Sequence, residues 1–161
     1  MTLLAIDPGR SVKEASIGYC IFGTNGPKDW REIERGSLMW DDFVKKLVVR
    51  DEGPNVATPW LAFDDYYIEE VVIENFINNT RSRGGQTNGT SEVIGAVEYA
   101  CIKGDTPFKR QPNTILPVAK LHAGYEQTLK HLPHQDAAFL HGFYYLVGKG
   151  RLTPKGLAST L

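Results

Sequence analysis

Three acids in this 161-residue sequence stand where a negative charge is costly unless something answers it. Asp7 closes the aliphatic run LLAID, Glu74 closes VVIE, and Asp136 lies at the start of HQDAAFLHGFYYL. An ionised carboxylate at the end of an apolar strand needs a partner, and a divalent cation is an efficient one. If the strands of Asp7 and Glu74 pair in parallel, both side chains emerge at the same carboxyl edge of a sheet, where α/β folds place their sites. Asp136, in the first turn of a helix whose dipole favours an anion, is the candidate third ligand. Hard oxygen donors of this kind suit Mg²⁺ or Mn²⁺ rather than Zn²⁺. Each acid also has an ordinary reading. Asp-Pro-Gly is a common turn, an aspartate at a helix start is a common cap, and Glu74 could be half of a structural ion pair.

The elements that must hold these residues follow from the hydrophobic pattern. Thr2 to Ile6, Ile17 to Phe22 and Trp30 to Met39 read as three strands of a meander, joined by turns rich in Gly, Pro and Asn. Asp41 to Arg50 carries Phe43, Val44, Leu47 and Val48 at helical spacing, and Glu52 to Pro59 reads as a loop. Ile68 to Glu74 is nearly continuous in its apolar character, as expected of a central strand buried on both faces. Asn78 to Thr90 is a polar, glycine-rich loop or helix entry, and Val93, Ile94, Val97 and Cys101 then repeat at helical spacing until Gly104. A short strand near Pro107 to Arg110 and a partly helical stretch from Asn113 to Lys130 lead to a helix over His134 to Val147, with a frayed tail from Arg151. The order predicts one domain over residues 1–161, of α/β class: a five-stranded mixed sheet flanked by helices, in the RNase H-like arrangement.

Composition narrows the function. No apolar stretch approaches the roughly 20 residues a bilayer crossing needs, so no membrane partner is expected. The start of the chain lacks the features of a secretory leader, and Cys20 and Cys101 read as reduced core thiols; both point to the cytosol. Charge is divided unevenly. Residues 1–74 hold 14 acids against 8 Lys and Arg, whereas residues 75–161 hold 5 against 10, which allows a basic surface for phosphates. There is no nucleophile elbow for a serine or cysteine hydrolase, and no second acid-and-glycine lobe for an actin-like ATPase.

AIDPG, VVIENF and HQDAAFLHGFYYL, in that order and at these separations, resemble the RuvC-type Holliday junction resolvases, and more closely the divergent forms carried by bacteriophages. The resemblance runs from about Thr2 to Leu146 and rests on the ordered set rather than on any one motif. It implies an RNase H-like fold and a homodimer that cuts symmetrically across four-way DNA junctions with bound divalent metal, two ions per site, in the cytoplasm of a bacterial host. By the same resemblance Asp7, Glu74 and Asp136 are the catalytic and metal-binding acids. Hydrolysis would leave 5′-phosphate and 3′-hydroxyl ends.

The chain departs from the family where a second acid or a histidine usually stands one turn before the DA aspartate: Pro133 is there, with His134 beside it. His134 and His141 are therefore candidates for a fourth ligand or for handling the leaving-group proton, and each is equally readable as a packing histidine. Phe76 resembles a junction-stacking aromatic, or is a core residue; Arg81 and Arg83 are candidates for phosphate contacts, Lys109 and Arg110 extend the basic track, and Lys120 falls near a lysine the family keeps beside its metals. Two other readings share the fold: a broader branched-DNA or flap nuclease, and a module that binds branched DNA without cutting it.

Overall fold

The computed structural model of the chain describes residues 1–9, 15–26, 29–51, 59–75, 84–126 and 132–155, with backbone alone at 84–88. β1 (Thr2–Asp7) pairs antiparallel with β2 (Ile17–Gly23), which pairs antiparallel with β3 (Arg31–Leu38). A helix and a small sheet interrupt the chain before β7 (Glu70–Asn75) returns beside β1 in parallel, and β8 (Phe108–Pro112) adds in parallel to β7. The resulting five-stranded mixed sheet has the order β3-β2-β1-β7-β8, the RNase H-like arrangement.

Both faces of this sheet are covered, which is why β1 and β7 read as unbroken apolar runs. Leu4, Ile6, Tyr19, Ile21, Val71 and Ile73 point to one side, against Val93, Val97 and Cys101 of α2 (Gly84–Lys103) and against the small sheet. Leu3, Ala5, Cys20, Phe22 and Val72 point to the other, against Phe139, Leu140, Phe143 and Leu146 of the last helix, α4 (His134–Gly148). A 3-10 turn (Asn113–Ile115) and α3 (Leu116–Ala123) close that second layer.

The stretch between β3 and β7 departs from the expected single helix and loop. α1 stops early (Trp40–Lys46), and β4 (Leu47–Arg50), β5 (Trp60–Phe63) and β6 (Tyr66–Ile68) form a three-stranded sheet of their own. Leu47 is already extended and pairs with Phe63, so Leu47 and Val48 lie across from β5 instead of continuing the helical face. β5 and β6 turn at Asp64, whose φ of 54° is one aspartate tolerates. α2 begins at Gly84, within the stretch read as loop or helix entry.

Cys20 and Cys101 are both free and fully buried. Burial raises both thiols, Cys101 to about 12 and Cys20 further, with the Glu32 carboxylate adding to the effect at Cys20. Because the thiolate is the reacting species, neither should react with a thiol reagent such as Ellman's until denaturant opens the fold. Rapid labelling of either one in the native protein would contradict this packing.

Candidate active site

Strand register brings the two strand-ending acids together. Ile6 pairs with Ile73, so the next positions, Asp7 and Glu74, lie side by side at the carboxyl edge. The line continues outward in both directions: Asp7 pairs with Gly18, Gly18 with Ser37, and Glu74 with Gln111. Alternation along each strand turns this whole row toward α4, as it turns Ala5, Cys20 and Val72.

α4 meets the row along its first two turns. His134 Nδ1 lies 3.0 Å from Asp7 Oδ2, and Gly9 N–H donates to Asp7 Oδ1 at 3.3 Å. Seven residues later, about two helical turns, His141 lies on the same side, with Nε2 3.6 Å from Glu74 Oε1. The helix comes this close because Gly18 has no side chain. A Cβ there would sit 2.0 Å from the His134 carbonyl oxygen. Gly142, whose added Cβ would meet the Phe22 ring at 2.3 Å, performs the same service two turns up.

Asp7 is 8% exposed, and burial, joined by the Glu74 charge and opposed by His134, lifts its carboxyl above the ordinary value. Burial acts on Glu74 too and is the largest single influence, but His141, Asp7 and His134 together outweigh it and leave Glu74 below the ordinary value. The two carboxyls act as one coupled pair in which Asp7 is the readier to hold a proton. A buried acid in contact with a half-buried one, unable to carry two full charges cheaply, fits a hard divalent cation by donor chemistry. Among the described residues, no group of three or more His, Cys, Asp and Glu is already arranged to hold a metal ion.

Asp136 does not join them. Its Oδ1 accepts from Arg35 Nη1 at 2.7 Å, and Arg35 also bonds Tyr125 and Glu32 while lying 4.1 Å above the Phe139 ring. Two residues along a helix is a rotation of about 200°, so a helix that aims His134 at Asp7 aims Asp136 elsewhere. Of the basic residues, Arg110 lies opposite Ile73 on the α2 side and pairs with Glu98. Lys109 lies opposite Val72 and is exposed, and Lys120 is half-buried on α3. Phe76, Arg81 and Arg83 lie outside the described residues.

Sequence reading missed Arg35, Gly18 and Gln111. Arg35 gives no spacing signal. Gln111 stood one residue beyond the expected strand end, and a polar residue there looks like the start of a loop.

Among solved structures, RuvC of T. thermophilus in complex with a Holliday junction substrate matches with a TM-score of 0.53 at 12% sequence identity, over 96% of this chain and 99% of that one. The fold is that of RuvC. A second RuvC structure, from Thermus thermophilus, matches with a TM-score of 0.49 at 13% identity, again over 96% and 99% of the two chains. No protein-family model matches the chain, and no curated protein matches its sequence. The Asp7–Glu74 contact depends on the parallel β1–β7 pairing of this sheet. Among the described residues no helix is long and apolar enough to cross a membrane.

Proposed function

We propose that this chain is a RuvC-type, metal-dependent endodeoxyribonuclease of the bacteriophage kind, which resolves four-way DNA junctions and related branched DNA by paired hydrolysis of phosphodiesters. The observation that carries this reading is the Asp7–Glu74 pair at the carboxyl edge, Asp7 buried and Glu74 half-buried, with His134 against Asp7. The RuvC-like fold, and the Holliday junction substrate held by the T. thermophilus RuvC that it matches, support the same reading. The proposal includes a homodimer, because two-fold related active sites match the two-fold symmetry of a junction.

Asp7 and Glu74, with His134 beside them, would hold Mg²⁺ or Mn²⁺. When bound, the cation supplies charge neutralisation at the scissile phosphate and a more acidic water. The protein's own groups do the rest. Glu74, ionised and held by His141, provides a fixed negative oxygen. His134 donates from Nδ1 to the ionised form of Asp7, which leaves Nε2 as its proton-accepting nitrogen. Being 41% exposed, this imidazole stands where a phosphate and its attacking water can reach it. Water adds to phosphorus, the bond to the 3′ oxygen breaks, and a 5′ phosphate and a 3′ hydroxyl result.

The test is cleavage of a synthetic four-way junction beside fork and flap substrates, with Mg²⁺ or Mn²⁺. Paired symmetric nicks on the junction are expected. Equal cutting of flaps would make this a broader nuclease, and binding without any nick would make it a recognition module.

Asp136 enters this reading as the partner of Arg35. Asp136→Asn should lower stability by about 1.5 to 3 kcal/mol, the worth of a charge-assisted bond, measurable by denaturant unfolding. Cutting should fall less than about tenfold. A loss as deep as that of Asp7→Asn would return Asp136 to the cation site.

A further inference from the structure

We infer that Gln111 is a positioning residue: it fixes His141 as the Nε2–H tautomer, which makes His141 a proton donor facing Glu74 and removes it from the possible cation ligands. Gln111 is 4% exposed and His141 fully buried, so neither has solvent to substitute for a missing partner. The Gln111 side-chain nitrogen lies 3.0 Å from the His141 carbonyl oxygen and 3.1 Å from His141 Nδ1. A carbonyl oxygen only accepts, so the amide must present its NH₂ group there rather than its oxygen. The same NH₂ then offers its second hydrogen to Nδ1, which accepts with its lone pair. A neutral imidazole carries one proton, and with Nδ1 accepting, that proton sits on Nε2.

Nε2 is buried and has no hydrogen-bond partner among the described residues; Glu74 Oε1, at 3.6 Å, is the carboxylate it faces. That separation is longer than a hydrogen bond and short enough for a strong directional field between an N–H and an ionised oxygen. A nitrogen bearing a proton has no lone pair for a metal ion. The two histidines of α4 therefore divide the labour. His134 keeps an accepting nitrogen at the half-exposed end of the site, whereas His141 is a buried donor that orients Glu74. Strand register supports the assignment independently, because Gln111 is the direct neighbour of Glu74 across β7 and β8. One side chain on the edge strand thus reaches over Glu74's flank to set the histidine above it.

The role assigned to Gln111 in catalysis rests on the nuclease reading; the tautomer does not. The test is a long-range ¹H–¹⁵N correlation spectrum of protein labelled at its four histidines, with His141 identified by the loss of its signals in His141→Asn. The wild type should show His141 with a protonated Nε2 and an unprotonated Nδ1. Gln111→Met, which keeps the length and removes the donor, should lose that single-tautomer pattern. Gln111→Glu, whose carboxylate can only accept, should move a proton onto Nδ1; it serves equally if the Met variant does not fold. In the cleavage assay Gln111→Met should lower kcat by about tenfold with KM nearly unchanged, as for other residues that orient a site through a histidine. A wild-type His141 protonated on Nδ1, or a pattern indifferent to both substitutions, overturns the inference. The expected spectra in a protein that never cuts DNA would uphold the Gln111–His141 pairing and sink the nuclease reading instead.

Discussion

Asp7→Asn and Glu74→Gln should each lower junction cutting by about 10³-fold or more, equivalent to about 4 kcal/mol of transition-state stabilisation, while junction binding measured by gel shift is retained. Both substitutions keep shape and remove charge, so the loss isolates the electrostatic role of the carboxyl pair. Their effects on stability should differ, and that difference separates a functional pair from a structural one. Burial raises the Asp7 carboxyl, so at neutral pH its ionised form costs the folded state free energy, and Asn should raise the melting temperature. Glu74 is held below its ordinary value despite burial, chiefly by His141, so its charge contributes stability. That contribution is present above the unfolded carboxylate value and is lost as pH falls through the lower folded one. Glu74→Gln should therefore lower the melting temperature, and the deficit against wild type should shrink in acid. Two variants equally inactive but shifted in opposite thermal directions are the expected signature. Full activity in either would remove that residue from the site.

Gly18→Ala should be nearly as damaging to cutting although Gly18 brings no chemical group of its own to the site. The added Cβ would lie 2.0 Å from the His134 carbonyl oxygen, 2.2 Å from its carbonyl carbon and 2.7 Å from Gln135 N. All three are backbone atoms of the first turn of α4, so no rotamer change relieves the clash and the helix end must move away from β2. Overpacking of this kind costs about 1 to 3 kcal/mol. A shift of about 1 Å would also draw His134 off Asp7, which in a preorganised site is worth about a hundredfold in rate. Measured unfolding free energy and kcat should fall together. A variant with wild-type stability and rate would show that the approach of α4 to β2 is looser than the structure has it.

Much of this was legible in the amino-acid order. The unbroken aliphatic character of LLAID and VVIEN reports burial on both faces, and burial on both faces implies the central, parallel pair that juxtaposes Asp7 and Glu74. What could not be read locally was anything decided by the rotation of one element against another. Asp136 and His134 sit two residues apart on α4, and which of them meets Asp7 depends on the helix's roll over the sheet, set by Gly18, Gly142 and the Arg35 grip on β3. Likewise Leu47 and Val48 fit a helical stripe in sequence, and only the arrival of Phe63 and Ala62 opposite them makes β4 a strand.

The alignment Ser37–Gly18–Asp7–Glu74–Gln111 has a consequence for how such a chain drifts over time. A candidate site laid out along a single transverse line makes demands on one position per strand and on a few points of the helix above it. Across most of the core the lineage is asked only for greasy residues of suitable bulk, a requirement many alphabets of side chains satisfy. Descendants can thus lose almost every shared letter while the line survives, and relatives are better sought by threading that line through candidate sheets than by matching words.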